Sequence, residues 1–499
     1  MSEAVNEVSV QEEKSDLINK HKNRRYLRPN EILAYICVSY GAKNLSEFVS
    51  GNQQFFMLNF LRLKGSTYGT LSLIANIYDA VDDSISGVIV DRTRTRWGHL
   101  RPYLVVTLPL IVLSTLMMFS APELSDSKRT VYALFSIILY GLSMSYYNCW
   151  GIMLYNITPN VNERNNLITT KEFCDLFVVL PSVVNIAVSV LPKINQNITM
   201  KSIYTGCALI CVMLCVLASV FGFRNMRERV PLVSREEMNN TPIRKSLKEL
   251  FKNKPMFVVI IASFVNNIKS VGGASESFFW LNNVGSLLYG TFSGLVTGAP
   301  NYFMTPLAPK IINKFGARNT AVVCGLFGGC AYLTLFLIGY APFGERKVLN
   351  VAYLYIMLMI CGLPNCVMRV CNAVIQGDVY DYMEWKSGMR NEALLSTVSG
   401  WFGKLGTSIM GLLSGWCFTW IGYEAAYDKF GNLTPISDQS VLNGIFAIFA
   451  LAPSIARFGY GISHIFFSVH GKFKEQITSD LEQRRAERIL AEGNSEDGK

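Results

Sequence analysis

Long apolar stretches separated by short polar segments run through the whole chain. Each contains about 20 residues or more, the length that an α-helix needs to cross the hydrocarbon core of a bilayer. The pattern predicts twelve transmembrane helices, of which the first and eleventh are the most polar. Their approximate limits are 32–61, 67–90, 102–122, 130–157, 170–192, 203–223, 256–282, 286–312, 319–341, 349–375, 392–421 and 440–468.

Composition and charge agree with a multi-pass membrane protein. Half of the 499 residues are hydrophobic and only 16% are charged. Lys and Arg are frequent in both tails and in every second connection, which predicts that both termini are cytoplasmic and that the protein lies in the cell membrane. The net charge of +10 follows from this bias beside anionic lipid, so it gives no reason to expect nucleic-acid binding.

The longest internal polar stretch divides the spans into two groups of six. The predicted parts are a cytoplasmic tail at 1–30, a six-helix bundle at 31–223, a cytoplasmic connecting loop at 224–255, a second bundle at 256–468 and a C-terminal tail at 469–499. Short basic turns containing glycine, at 91–98 and 314–318, occupy matching positions in the two halves. Such duplication favours substrate binding near the membrane midplane between two bundles.

Three carboxylates lie inside the second predicted span. Asp79, Asp82 and Asp83 would share one face of a helix, because positions three and four residues apart are neighbours. A charge near the bilayer centre costs at least about 2.5 kcal/mol on insertion scales, so a cluster of acids indicates a cation pathway. Alternatively, the acids lie at a helix end in the headgroup layer, or pair with buried Lys or Arg.

Other ionisable residues within or at the ends of the spans indicate a polar internal cavity, since such groups normally face a bundle interior. They are Lys43, Glu47, Lys171, Glu172, Asp175, Lys269, Glu276, Arg369, Glu392, Lys404 and Arg457. Lys43 and Glu47 are four residues apart and alternatively neutralise each other. Lys404 has no acid within one turn, so we expect a partner on another helix, with Asp79 or Asp83 as the candidate.

Uncharged polar and aromatic groups complete a candidate sugar site, because hydrogen-bonding amides and aromatic faces suit the hydroxyls and C–H groups of a sugar ring. They include Asn44, Asn148, Asn266, Asn267, Trp150 and Trp401. For any one of them, helix–helix bonding or anchoring at the membrane interface is the alternative.

The chain lacks the usual signs of an enzyme. Its twelve cysteines fall almost entirely within the apolar spans and show no metal-ligand spacing. It has four histidines and no nucleotide-binding or nucleophile-elbow motif. We therefore expect neither enzymatic activity nor a cofactor.

Two motifs resemble the glycoside-pentoside-hexuronide:cation symporters of the major facilitator superfamily. Residues 78–103, YDAVDDSISGVIVDRTRTRWGHLRPY, are similar to the family's second-helix segment. Residues 377–392, GDVYDYMEWKSGMRNE, followed by WFGKLG at 401–406, are similar to its signature at the tenth and eleventh helices. The resemblance implies an all-α major facilitator fold and sugar uptake coupled to Na+ or H+ by a protein that functions as a monomer.

The resemblance also implies roles for individual residues. Asp79 and Asp83 match the acids that bind the cation, as Na+ ligands if sodium is the coupling ion, with Ser145 and Lys404 nearby and Asp82 as an additional acid. Asn44 and Asn148 stand where melibiose permease has sugar-binding aspartates, and Glu172 stands near one of its arginines. These departures put melibiose in doubt and penalise an anionic hexuronide less. The full candidate substrate set is Asn44, Asn148, Lys43, Glu172, Trp150 and Trp401.

A cytoplasmic gate is a further expectation. Arg92 and Arg96 in the basic turn are expected to contact carboxylates that include Asp378 and Asp381, with simple positive-inside topology as the alternative. Two other functions stay open from the sequence. One is a cation-coupled carrier of lysolipids or other amphiphiles in the same superfamily, and the other is a membrane sensor that does not transport.

Overall fold

The computed structural model describes residues 26–158, 163, 166, 167, 170, 171, 174, 175, 180–195, 198–229, 253–387, 392–429 and 432–481. Most of these residues are helical. The predicted roles of Glu172 and of parts of the two tails and the connecting loop lie outside this part of the chain.

The first half contains eight described helices. They are α1 (Pro29–Asn59), α2 (Gly65–Arg92), α3 (Tyr103–Val106), α4 (Leu108–Met118), α5 (Asp126–Tyr147), α6 (Cys149–Ile157), α7 (Leu180–Ile194) and α8 (Met200–Asn225). Pro29 opens α1, where its missing N–H is no loss, and the Glu31 carboxylate accepts the Arg28 backbone N–H at 2.9 Å.

The second half contains seven numbered helices, a further helical segment described at residues 471–481, and one small hairpin. The helices are α9 (Lys254–Asn266), α10 (Lys269–Asn282), α11 (Leu287–Phe315), α12 (Ala317–Ile338), α13 (Lys347–Ser387), α14 (Glu392–Trp420) and α15 (Gln439–Ile465). Strands β1 (Ala426–Tyr427) and β2 (Leu433–Thr434) pair antiparallel between α14 and α15. Asn253 and Asp438 cap α9 and α15 by accepting backbone N–H bonds at 3.2 and 2.8 Å.

A helical segment lies in each of the twelve predicted spans, although the fifth is described only in part. Six helical stretches of the described chain are long and apolar enough to cross a membrane. They are Asp126–Leu154, Met200–Asn225, Lys254–Asn282, Ala317–Ile338, Lys347–Lys386 and Gln439–Ile465. The stretch that carries the three acids, α2, is not among them.

Three spans that the sequence predicted as continuous are interrupted. Thr107 separates α3 from α4, Asn148 separates α5 from α6, and Asn267 with Ile268 separates α9 from α10. Irregular backbone at membrane depth is tolerated where protein buries it or where it lines a polar cavity. The breaks therefore mark places where a site can form.

The contacts divide the chain into two compact units. One consists of Met1–Arg62 with Tyr78–Ser234, and the other of Leu63–Ile77 with Arg235–Lys499. The division falls within α2, because residues 63–77 group with the second unit. The domain limits expected from the sequence stay a prediction.

Each unit has its own core. In the first unit, the Phe119 ring lies 4.7 Å from Phe48 and 5.3 Å from Phe56, and Tyr204 packs 5.9 Å from Phe56. In the second unit, buried side chains of α9, α12, α13 and α15 meet those of the helical residues 471–481, including Ile260, Ala321, Val367, Tyr460 and Ile477. Apolar packing thus extends beyond the last predicted span.

Glycines allow the start of α2 to lie directly against α14 within the second unit. A Cβ on Gly69 would lie 2.6 Å from the Leu412 carbonyl oxygen, and one on Gly415 would lie 2.6 Å from the Gly69 nitrogen. The Ser66 N–H donates to Thr419 Oγ1 at 2.6 Å in the same contact. Any larger residue would force the two backbones apart.

Candidate transport sites

The three acids of α2 occupy different environments. Asp82 is buried with 6% of its surface exposed, Asp79 is partly buried, and Asp83 is exposed. Ser145 Oγ on α5 donates to Asp79 Oδ1 at 3.4 Å. The structure therefore brings together two of the predicted cation-site residues, Asp79 and Ser145.

Gly141 also lies beside Asp79. It is one turn before Ser145 on α5, and a Cβ there would be in ordinary van der Waals contact with Asp79 Oδ1 at 3.6 Å. Within the described chain, no three His, Cys, Asp or Glu side chains converge as a metal site would require. An ion at Asp79 would therefore need the Ser145 hydroxyl or backbone oxygens in addition to carboxylates.

Asp175 lies close to two lysines that the sequence predicted to face a polar internal cavity, Lys43 and Lys171. Its carboxylate lies 3.5 Å from Lys43 Nζ and 2.9 Å from Lys171 Nζ, and Ser39 Oγ donates to it at 3.3 Å. The alternative pairing of Lys43 with Glu47 is wrong, because the lysine side chain turns to Asp175 instead. Nothing in the local spacing of Lys43 and Asp175 predicts this contact.

The predicted amide and aromatic groups of the first unit differ in their burial and in their hydrogen bonding. Asn44 is fully buried and its Nδ2 donates to the Tyr40 carbonyl at 2.8 Å. Asn148 is exposed at the break between α5 and α6. The ring of Trp150, just after the break, lies 6.0 Å from the ring of Tyr35 in a tilted arrangement, and its indole N–H is buried without a hydrogen-bond partner among the described residues.

Lys404 and Trp401 lie on α14, in the second unit. Lys404 is partly buried, and 52% of the Trp401 surface is exposed. Their predicted roles at the cation and substrate sites stay predictions.

A large polar cavity lies within the second unit, and the predicted substrate set did not include it. Its volume is about 560 Å³. Lys269, Arg369 and Arg457 contribute positive charge and Glu276 contributes the acid; the polar lining also includes Asn266, Thr297, Tyr332, Asn365 and Asn372. The sequence identified these charged residues inside apolar spans, but it did not predict that they line one cavity.

Glu228 anchors the basic turn after α2. Its carboxylate accepts the backbone N–H groups of Leu100 and Arg101, each at 3.0 Å, and lies 2.6 Å from His99 Nδ1. Burial alone would raise the pKa of Glu228, but these backbone hydrogen bonds and the charge of His99 hold its pKa below the ordinary value of 4.5. The sequence prediction missed this residue because one Glu in a charged loop carries no pattern.

Two of the predicted gating residues, Arg96 and Asp378, have partners within their own units. Arg96 lies over the Trp97 ring at 4.5 Å, and Arg92 is the last residue of α2. Asp378 near the end of α13 pairs with Lys474 at 2.7 Å. Asp381 lies one turn further along the same helix. The gate itself stays a prediction.

Comparison with known proteins decides the class of the chain. The family described as "MFS/sugar transport protein" matches residues 34–471. The chain belongs to this family. The predicted resemblance to the glycoside-pentoside-hexuronide:cation symporters and the all-α major facilitator fold are thereby confirmed, and the protein is a multi-pass membrane transporter and not an enzyme.

Curated relatives cover most of the chain. The isoprimeverose transporter of Lactiplantibacillus pentosus is 29% identical over 460 residues, which are 89% of this chain and 90% of the relative. The glucuronide carrier protein homolog of Escherichia coli (strain K12) is 24% identical over 435 residues, 84% of this chain and 87% of the relative.

Solved structures agree on the fold. A bacterial homologue of the human lysosomal transporter Spinster gives a TM-score of 0.62 at 11% identity, covering 88% of this chain and 98% of the homologue. A D-xylose-proton symporter gives 0.56 at 14% identity, covering 88% of this chain and 96% of its own. At these identities the similarity concerns the fold alone.

Proposed function

We propose that the protein is a secondary active transporter that imports a sugar or glycoside together with Na+ or H+ by alternating access. The observation that carries the proposal is the contact between Asp79 on α2 and Ser145 on α5 in a member of a sugar-transport family. A partly buried carboxylate with a hydroxyl beside it is a suitable ligand for a hard cation or a proton.

In this mechanism, the cation neutralises the acids of α2. Asp79 and Asp83 bind it with Ser145, Asp82 adds a further negative charge, and Lys404 serves as counter-charge when no ion is bound. Since a charge inside the membrane is costly, a loaded site changes the preferred conformation. By linkage, the sugar raises cation affinity by the same factor by which the cation raises sugar affinity.

The sugar contacts we propose are Asn44, Lys43, Asn148 and Trp150 in the first half, with Glu172 and Trp401 as further candidates. The amides donate and accept hydrogen bonds to hydroxyls, and the buried Trp150 indole N–H offers a donor that no described residue uses. The names of the relatives, an isoprimeverose transporter and a glucuronide carrier homolog, support a sugar or sugar acid as the cargo.

The polar lining of the second-unit cavity favours a sugar over a lysolipid or other amphiphile. We also propose that the protein lies in the cell membrane in contact with lipid, that both termini are cytoplasmic, and that it functions as a monomer.

Arg92 and Arg96 with Asp378 and Asp381 are the proposed cytoplasmic gate. Reversing the charge of Arg92 and Arg96 should change the transport rate, and unchanged rates would remove the gate.

The test is uptake by proteoliposomes of neutral glycosides, pentosides and hexuronides, with Na+ and pH gradients imposed separately. Accumulation should follow one of the gradients and be abolished in Asp79→Asn. The matched control is Asp126→Asn, because Asp126 lies on the same unit with 96% of its side chain exposed. Uptake of every sugar at a rate independent of both gradients would reject symport.

A further inference from the structure

The cavity of the second unit is lined by more positive than negative charge. Lys269, Arg369 and Arg457 are its cations, and Glu276 is its acid. The cations come from three helices, α10, α13 and α15, so positive charge faces the cavity from several sides. The charges of Arg369 and Arg457 both act on Lys269. Because like charges in one cavity repel each other, an anion bound there would relieve the repulsion.

No ion pair balances these cations within the part of the chain that the structure describes. Its ion pairs involve other side chains, and none includes Lys269, Arg369 or Arg457. The acid of the cavity, Glu276, accepts a hydrogen bond from Ser293 Oγ at 2.9 Å. One carboxylate also leaves two of the three positive charges uncompensated. The lining therefore favours a ligand that carries negative charge.

Arg457 gives the strongest sign that such a ligand is expected. Only 7% of its surface is exposed, yet its guanidinium donates to neutral acceptors, Asn365 Oδ1 and, at 3.0 Å, Met368 Sδ. The titratable groups beside it include Tyr332 and Tyr460, which are neutral at pH 7. Its Nε is buried without a hydrogen-bond partner among the described residues. A buried cation without an anion is costly, because neutral acceptors do not replace the solvation that it loses.

The uncharged amides of the lining are also better suited to donate than to accept. Asn365 Oδ1 accepts the hydrogen bond from Arg457, and Asn372 Oδ1 accepts one from the Tyr460 hydroxyl. Their Nδ2 groups remain as donors for a ligand. Arginine and lysine side chains have no acceptor at all. A lining rich in donors matches a ligand rich in acceptors, whereas the hydroxyls of a sugar need acceptors as well.

The fork of N–H groups on arginine identifies the kind of anion. Guanidinium groups bind planar or tetrahedral oxyanions through paired hydrogen bonds, and a lysine adds a point charge. The cavity volume of about 560 Å³ leaves room for a small oxyanion with hydration water. None of the residues proposed above to contact the sugar lines this cavity. The two ligands would therefore bind to different side chains.

We infer that the cavity of the second unit is a binding site for a small inorganic oxyanion, phosphate or sulfate, which is a resident ligand and is not transported. Arg369 and Arg457 bind its oxygens, Lys269 adds attraction, and Asn365 and Asn372 donate further hydrogen bonds. The anion links α10, α13 and α15. Its release during each transport cycle would leave the buried Arg457 without an anion, which is why we expect it to stay bound.

The first experiment measures binding of inorganic phosphate to the purified full-length protein in detergent, at a constant chloride concentration. Radiolabelled phosphate in equilibrium dialysis should occupy a single class of sites, with half-saturation at roughly 1 mM or below and displacement by sulfate. A hundredfold excess over the dissociation constant should raise the unfolding temperature by on the order of 3 °C. Chloride at the same added concentration should have a smaller effect, because a single atom cannot accept the paired hydrogen bonds of a guanidinium group.

The variants separate recognition from folding. Arg457→Gln and Arg369→Gln should each raise the phosphate concentration for half-saturation by roughly tenfold or more. Arg457→Lys keeps the charge without the fork, so we expect an intermediate value. Arg369 is exposed, so Arg369→Gln tests the site even if Arg457→Gln fails to fold. The matched control is Lys310→Gln, which removes a positive charge from an exposed position of α11 outside the cavity and should bind phosphate as the wild type does.

Four results would overturn the inference. They are wild-type protein that binds no phosphate, equal stabilisation by chloride, unchanged phosphate binding in both glutamine variants, and protection by phosphatidylglycerol but not by inorganic phosphate, which would assign the cavity to a lipid headgroup. A second experiment tests whether the anion is cargo. Proteoliposomes loaded with phosphate should show no counterflow of radiolabelled phosphate, and accumulation would make phosphate a transported substrate and contradict the inference.

Discussion

The two units treat charge inside the membrane in opposite ways. In the first, Asp175 is paired with both Lys43 and Lys171. In the second, Lys269, Arg369 and Arg457 surround a cavity with no recorded ion pair among the described residues. A balanced buried cluster stabilises the fold, whereas an unbalanced one is maintained at a cost to stability and is suited to a ligand. The comparison predicts opposite responses when one charge is removed.

The largest effect is expected for Asp175→Asn. Its side chain is 3% exposed, so the substitution leaves two lysines close together without their acid. Breaking a buried pair by removing one partner should lower the free energy of unfolding by about 3 kcal/mol. Thermal unfolding of the purified protein measures this, and a second substitution, Lys171→Met, should recover part of the loss. If Asp175→Asn lowered the free energy of unfolding by less than the exposed control Asp126→Asn, the difference proposed between the two units would be wrong.

A smaller loss is expected for Glu228→Gln, which removes the charge of another paired acid of the first unit. The neutral side chain keeps one acceptor oxygen for the backbone N–H groups of Leu100 and Arg101, so we expect a loss of about 1–2 kcal/mol. The pKa of Glu228 is lowered in the folded protein, so its contribution is full above the ordinary value of 4.5 and disappears as the pH falls through the lower folded value. Unfolding measured against pH should therefore show a shallower acid limb in Glu228→Gln. Acid limbs of equal slope in the wild-type protein and in Glu228→Gln would contradict the anchoring role of Glu228.

A still smaller loss of stability is expected for Lys474→Gln. This substitution tests an ion pair that lies in the second unit but does not line its cavity. Lys474 pairs with Asp378 at 2.7 Å, but 41% of its side chain is exposed. Such pairs contribute about 0–1 kcal/mol, so unfolding should shift only slightly and the shift should shrink in high salt. A loss as large as that of Asp175→Asn would contradict the prediction.

The smallest effect on the ligand-free protein is expected for Arg457→Gln. Removing an unbalanced buried charge also removes its desolvation cost, which offsets the lost bonds to Asn365 and Met368. We expect a change within about 1 kcal/mol in either direction, in contrast to Asp175→Asn. Strong destabilisation of Arg457→Gln would show that the cavity is balanced after all.

The fold followed from the sequence because apolar length is set by bilayer thickness, and this constraint acts locally. Pairing of charges did not, since Lys43 meets Asp175 through helix packing and not through its neighbour Glu47. The break at Asn267 and Ile268 also escaped prediction, because neither residue is a strong helix breaker. Asp79 and Ser145 were predicted together from the family resemblance. The cavity was not predicted, because its cations come from three helices that are far apart in the sequence.

Glu228 and Arg229, two of the charged residues that follow α8, bind to the first unit, and this affects where the chain can be divided. Glu228 binds the turn at His99–Arg101, while Arg229 pairs with Glu31 at 2.6 Å and donates to the Ile157 carbonyl. The apparent linker therefore begins beyond Arg229 and not at the helix end. A cut after Arg229 would keep both attachments in the first half, whereas a cut at Asn225 would remove them from the half that holds their partners.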